Sequence, residues 1–110
     1  MGAETFRQIG RGATHRAAFQ AARDQALYDY GHRGYTGSLA EKQDYVLIEV
    51  PATFVHDPEV KGWAGPVSRE AQYAEKLIDN DDPRISSKWG PAGCIQIALG
   101  EWLFFGWASS

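Results

Sequence analysis

Apolar residues recur along the chain with two different spacings, and the changes of spacing mark the elements. From His15 to Tyr30 there is neither Gly nor Pro, and Ala18, Phe19, Ala22, Ala26, Leu27 and Tyr30 fall at helical intervals, the repeat of a helix with one buried stripe. Alanine dominates that stripe, which lets the helix lie close against a sheet, with Phe19 and Leu27 as larger contacts and His15, Arg16, Arg23 and Asp24 in or beside the wet face. Thr14 is placed to cap its start, because a hydroxyl accepts from a free first-turn amide, and Gly31 to end it, because glycine enters the left-handed region most cheaply. A second helix follows Ser68 and runs to about Ile78, with Ala71, Ala74, Leu77 and Ile78 inward and Arg69, Glu70, Glu75 and Lys76 outward.

The strand signals are shorter. Glu4 to Gly10 reads as a first strand with an irregularity, broken by Gly10-Arg11-Gly12. Asp44-Tyr45-Val46-Leu47-Ile48-Glu49-Val50, stopped by Pro51, is β-branched and nearly all apolar in its middle, which predicts a central strand buried on both faces. Ala52 to Pro66 carries Pro58, Gly62, Gly65 and Pro66 around Phe54, Val55, Val60 and Trp63 and reads as a loop ordered by its own aromatics. The runs Cys94-Ile95-Gln96-Ile97-Ala98 and Trp102-Leu103-Phe104-Phe105, separated by Leu99-Gly100-Glu101, predict a tight hairpin. Its second strand turns Trp102, Phe104 and Gly106 to one side and Leu103, Phe105 and Trp107 to the other, so both faces are apolar. Unless helices cover both, one aromatic set is left for a partner, and a homodimer is the expected one. The order β-α-β-α-β-β implies a single α+β domain over residues 1–110, a two-layer sandwich with a mainly antiparallel sheet and helices on one face.

Composition narrows the class. The 110 residues include 44% hydrophobic and 13% aromatic positions, enough for one compact core. The net charge of −3 disfavours general nucleic-acid binding, although Arg7, Arg11, Arg16 and Arg23 could form a local basic patch. Cys94 is the single cysteine, which rules out an intramolecular disulfide and reads as a small buried hydrophobe suited to a reducing compartment. No run is long and apolar enough for a membrane span, and Met1 is not followed by a signal segment, so a soluble cytoplasmic protein is expected. The cluster Asp79-Asn80-Asp81-Asp82-Pro83 lacks the spacing of a calcium loop and reads as a solvated turn.

The densest ligand chemistry lies between the first helix and the strand after it. Gly31-His32-Arg33-Gly34-Tyr35-Thr36-Gly37-Ser38-Leu39-Ala40-Glu41-Lys42 combines three glycines with an imidazole, a guanidinium, a phenol ring and hydroxyls. Arg33 and Lys42 suit an anionic group, the Gly34 and Gly37 amides suit phosphate oxygens, and Tyr35 or Trp89 suits stacking on a base. Ile85-Ser86-Ser87-Lys88-Trp89-Gly90-Pro91-Ala92-Gly93, a second polar segment with an aromatic and turn residues, is expected to face this loop. The candidate ligand-binding residues are therefore His32, Arg33, Gly34, Tyr35, Thr36, Gly37, Ser38, Glu41, Lys42, Lys88 and Trp89. Catalysis has weaker support. His32 with Glu41 and His56 with Asp57 are not recognised catalytic spacings, and the nucleophile elbow, paired metal histidines, Walker loop and dinucleotide fingerprint are all missing from the sequence. No catalytic residue, metal or cofactor is assigned.

Three segments carry a resemblance. The start Met1-Gly2-Ala3-Glu4-Thr5-Phe6, the block Gly34-Tyr35-Thr36-Gly37-Ser38-Leu39-Ala40-Glu41-Lys42, and the end from Lys88-Trp89-Gly90-Pro91-Ala92-Gly93 through Leu103-Phe104-Phe105-Gly106-Trp107-Ala108 resemble small uncharacterised proteins encoded by tailed bacteriophages, particularly those infecting actinobacteria. Ser38-Leu39 stands where that group is expected to have Thr-Ile. The resemblance brings no catalytic residues. It implies a non-enzymatic accessory protein in the host cytoplasm, counteracting host defence by binding a nucleotide-like anion or a host protein. The alternatives are a small hydrolase acting on such a nucleotide with His32 as general base, and a purely protein-binding module.

Overall fold

The computed structural model describes residues 2–31, 34–62 and 65–110. Its elements in order are β1 (Ala3–Arg11), α1 (His15–Tyr30), a single 3-10 turn (Leu39–Glu41), β2 (Tyr45–Leu47), a short antiparallel pair of β3 (Lys61–Gly62) and β4 (Gly65–Pro66), α2 (Arg69–Asp79), β5 (Ala92–Ala98) and β6 (Glu101–Ser109). The main sheet has the order β1-β6-β5-β2, and its β1-β6 and β6-β5 pairs are antiparallel. Only β2 runs parallel to β5, because the connection between them passes through α2 and returns in the same direction. The fold is α+β with a mainly antiparallel sheet, as the residue pattern predicts.

Both helices begin and end where their capping residues say. The Thr14 hydroxyl accepts from the Ala17 amide at 3.1 Å and the Ser68 hydroxyl from the Ala71 amide at 3.1 Å. Gly31, at φ 86°, donates its amide to the Leu27 carbonyl at 2.8 Å.

The layering departs from a sandwich with helices on one face. Ala18, Phe19, Ala22 and Ala26 of α1 pack with Phe6, Cys94, Trp102, Phe104 and Ala108, whereas Ala74, Leu77 and Ile78 of α2 pack with Ile48, Ile85, Ile95, Leu103 and Phe105. Successive residues of a strand point to opposite sides, so the helices lie on opposite faces and the molecule has three layers. The reason is in β6, whose Phe104 and Phe105 are both fully buried. With both hairpin faces covered, no aromatic set is left over there to drive dimerisation.

Three further corrections are local. The run Asp44 to Val50 does not form a central strand: only Tyr45–Leu47 pairs, at the sheet edge, and Leu47 is 54% exposed. The central places go to β5 and β6, whose longer apolar runs bury more surface there. The 52–66 segment, expected as loop, contains the antiparallel β3-β4 pair, in which Gly62 stands opposite Gly65, while Phe54 does rest edge-on against Tyr73 at 5.0 Å; Trp63 of that expectation lies outside the described residues. Finally, Gly10 lies inside β1 instead of ending it, because α1 comes so close that a Cβ on Gly10 would meet the Ala18 carbonyl oxygen at 2.4 Å and the Phe104 ring at 2.9 Å.

That contact generates a stability prediction. Gly10→Ala must push α1 off the sheet and is expected to destabilise by about 1–3 kcal/mol, the usual cost of overpacking. Urea denaturation should show a lower midpoint with an unchanged slope.

Candidate functional site

The two polar segments singled out in the sequence do meet, and Lys42 joins them. Its side chain is 1% exposed, and the ammonium donates to the carbonyls of Ser87 at 3.3 Å, Lys88 at 3.2 Å and Gly90 at 2.8 Å. Among the described residues no carboxylate lies within ion-pair distance of it. Burial pushes its pKa down to about 8, yet below that pH the group is a cation whose three protons match three carbonyl acceptors. The other end of the residue is tied as well, with the Lys42 carbonyl accepting from Arg23 Nε at 2.6 Å. Arg23 was expected at the wet border of α1, and nothing in its helical spacing announces this contact.

Glu41 organises the neighbouring turn in the same way. Its carboxylate accepts from the Tyr35 amide at 2.9 Å, the Thr36 amide at 3.2 Å and the Thr36 hydroxyl at 2.7 Å. Burial alone would raise its pKa, but these bonds from Thr36 and Tyr35, with the charge of Arg23, outweigh it and hold the carboxyl below its ordinary value. The Ser38 and Thr36 hydroxyls are 2.7 Å apart, and Ser38 caps the 3-10 turn by accepting from the Ala40 amide at 3.2 Å. Gly37, at φ 68°, sends its amide to the Ser109 carbonyl at 2.8 Å, and a Cβ there would strike Glu4.

The residues expected to hold an anion are thus mostly engaged with one another. Thr36, Ser38, Glu41 and Lys42 are partners of protein groups, and the Gly37 amide is bonded to β6. His32 and Arg33 lie outside the described residues. Among the described candidate residues, the large side chains left outward are aromatic. Tyr35 is 52% exposed, Trp89 is 65% exposed, and their rings meet edge-on with centroids 6.3 Å apart. Tyr35 sits at φ 56°, a left-handed conformation that costs a non-glycine residue about 1 kcal/mol; the Glu41 carboxylate bonded to its amide holds it there. Trp89 is set by a tight turn, with its amide bonded to the Ser87 hydroxyl at 3.2 Å and Lys88 Nζ 5.3 Å from its ring centre. Beside the pair opens a cleft of about 560 Å³ lined by Glu41, Gln43, Asp44, Trp89, Gly90 and Pro91. Its charged walls are acidic. Gln43 and Asp44 were not anticipated, since they sit where the loop meets the predicted strand and carry no motif, whereas Pro91 belongs to the second polar segment expected to face the loop.

The other candidates come apart. His56 Nε2 pairs with the Val67 carbonyl at 3.1 Å, and the Asp57 carboxylate accepts from the Glu59 amide at 2.9 Å, so the two do not form a dyad. Asp82 receives both Arg84 Nε and Nη2, at 2.9 and 3.0 Å. Of the residues suggested as a basic patch, Arg7 pairs with Glu75, Arg11 with Glu101 and Arg16 with Asp44, and Arg23 donates to the Lys42 carbonyl. One contact that sequence spacing could not show lies across the fold, where His15 Nδ1 and the Tyr45 hydroxyl are 2.5 Å apart.

Lys42→Met keeps an unbranched apolar stem and removes the ammonium, leaving three carbonyls without their partner. A loss of about 1–3 kcal/mol is expected at neutral pH. Between pH 8 and 10.5 the unfolded chain holds a proton on Lys42 that the folded chain releases, so the Lys42 contribution to stability grows as pH rises through that window. Denaturant titrations of wild type and Lys42→Met should therefore diverge further with pH there, and parallel curves would contradict the assignment.

Compared with protein-family models, with curated proteins and with solved structures, the chain finds no match.

Proposed function

We propose that this chain is a non-enzymatic, phage-type accessory protein that acts by binding a host protein, in the setting of countering host defence, through the surface carrying Tyr35 and Trp89. The observation that carries this reading is the exposed edge-on pair itself, presented by two loops that the buried Lys42 ammonium ties together. Tyr and Trp are the residue types that dominate binding hot spots, and anchors held in place before binding lose little entropy on contact. Asp44 beside the pair, its side chain 70% exposed with Arg16 at 3.7 Å, favours a partner that presents a cationic side chain next to its apolar contact.

A nucleotide-like anion is less well supported, because Lys42 and the Gly37 amide are turned to protein carbonyls and the cleft walls repel phosphate. Of the groups that would assist His32 in a hydrolase, Tyr35, Ser38 and Lys42, the last two are engaged with protein groups.

The test compares wild type with Tyr35→Ala and Trp89→Ala, whose exposed side chains leave the melting temperature nearly unchanged. Cross-linked capture from host extract should recover one protein with wild type and lose it by about thirtyfold with either variant, the effect of a 2 kcal/mol hot spot. A thermal-shift panel of linear and cyclic nucleotides runs in parallel. A nucleotide that stabilises wild type by about 2.7 kcal/mol at a hundredfold excess over its Kd, and fails to stabilise Tyr35→Ala, would overturn the protein-partner reading in favour of a small ligand.

A further inference from the structure

The two edges of the main sheet are unlike. At one end β2 pairs over three residues only, the short edge that proteins commonly use to avoid strand addition. At the other end β1 pairs with β6 over nine residues in unbroken register, without a bulge or a proline. The parity of its ladder is set at both ends. Gly2 exchanges two hydrogen bonds with Ser110, and the Gly12 amide donates to Gly100, so the even-numbered residues turn their main-chain groups inward to β6. The odd-numbered residues Ala3, Thr5, Arg7, Ile9 and Arg11 turn theirs outward. Among the described residues none of these outward amides and carbonyls has a hydrogen-bond partner outside the sheet. Ile9 is 45% exposed on the same edge.

We infer that the outer edge of β1 is an interface for a second copy of this chain, pairing antiparallel to β1 and joining two four-stranded sheets into one. The choice of occupant rests on self-complementarity. With Phe6 opposite its counterpart, Ala3 faces Ile9, Thr5 faces Arg7 and Glu4 faces Gln8, each contact repeated by the twofold axis. In this register no two like charges stand opposite each other, and Ile9 is covered by Ala3. The outward residues form the hydrogen-bonded pairs, which exchange about eight main-chain hydrogen bonds. The twofold axis is perpendicular to the sheet, so the two copies of α1 share one face and the two copies of α2 the other. This interface is separate from the hairpin faces, which the helices already cover.

Sedimentation equilibrium of the full chain tests it. Wild type should approach twice its 12.2 kDa mass at high micromolar concentration. Thr5→Pro removes an outward amide that β6 does not use, and Ile9→Lys puts a charge on the exposed edge; each should weaken dimerisation at least about tenfold, a change of 1.4 kcal/mol. Circular dichroism and the melting temperature report that the monomeric variants remain folded, and Ile9→Lys, which alters no backbone group, carries the test if Thr5→Pro does not fold. A monomeric wild type overturns the inference and leaves the edge to a strand from another protein. A dimer that persists unweakened in a folded variant overturns it equally.

Discussion

Strand β6 has no wet face, and much of the architecture follows from that. Trp102, Phe104 and Ala108 project to one side and Leu103 and Phe105 to the other, all of them buried. A strand apolar on both sides must be covered on both sides, so it takes an interior place, flanked by β1 and β5, with one helix above and one below. α1 supplies the first cover and comes very close, because its stripe is alanine and the strand beneath offers Gly10. α2 supplies the second with larger side chains, on the return from β2 to β5.

The loops at the candidate site are held by a different kind of force. Burying an ammonium without its hydrogen bonds would be prohibitive, so Lys42 can be 1% exposed only where acceptors surround it. The turn at Ser87 to Gly90 provides three carbonyls, and the demand runs in both directions, since those carbonyls also need donors. Glu41 does the same for the amides of Tyr35 and Thr36. Together these charged groups tie Tyr35, Thr36 and Lys42 of the glycine-rich segment to neighbouring protein groups. The polar side chains act as scaffold, and the aromatic rings of Tyr35 and Trp89 are what they display.

Periodicity was informative wherever an element makes most of its contacts through one recurring face. Both helices, with their caps at Thr14, Gly31 and Ser68, and the C-terminal hairpin with its alternating faces could be read from spacing alone, since capping and alternation depend on near neighbours. The site was legible in part: Tyr35 and Lys42 of the first polar segment meet residues 87–90 of the second, as expected, because turn residues and ligand-type side chains are visible in any sequence. Their division of labour was not. A lysine and a threonine look alike whether they face a ligand or a neighbouring carbonyl, and only the positions of their partners separate the two.

What the chain by itself determined is therefore the α+β class, the helix limits, the aromatic hairpin and the loop pair, all of which depend on local propensity and spacing. Tertiary structure alone decided that the helices lie on opposite faces, that the apolar run at Tyr45 to Leu47 is an edge strand, and that Lys42 and Glu41 are internal ties. Each of these depends on contacts between residues far apart in sequence. Apolar runs state how much surface must be buried, and the competition among β1, β2, β5 and β6 for central places is resolved only when all four are in one sheet.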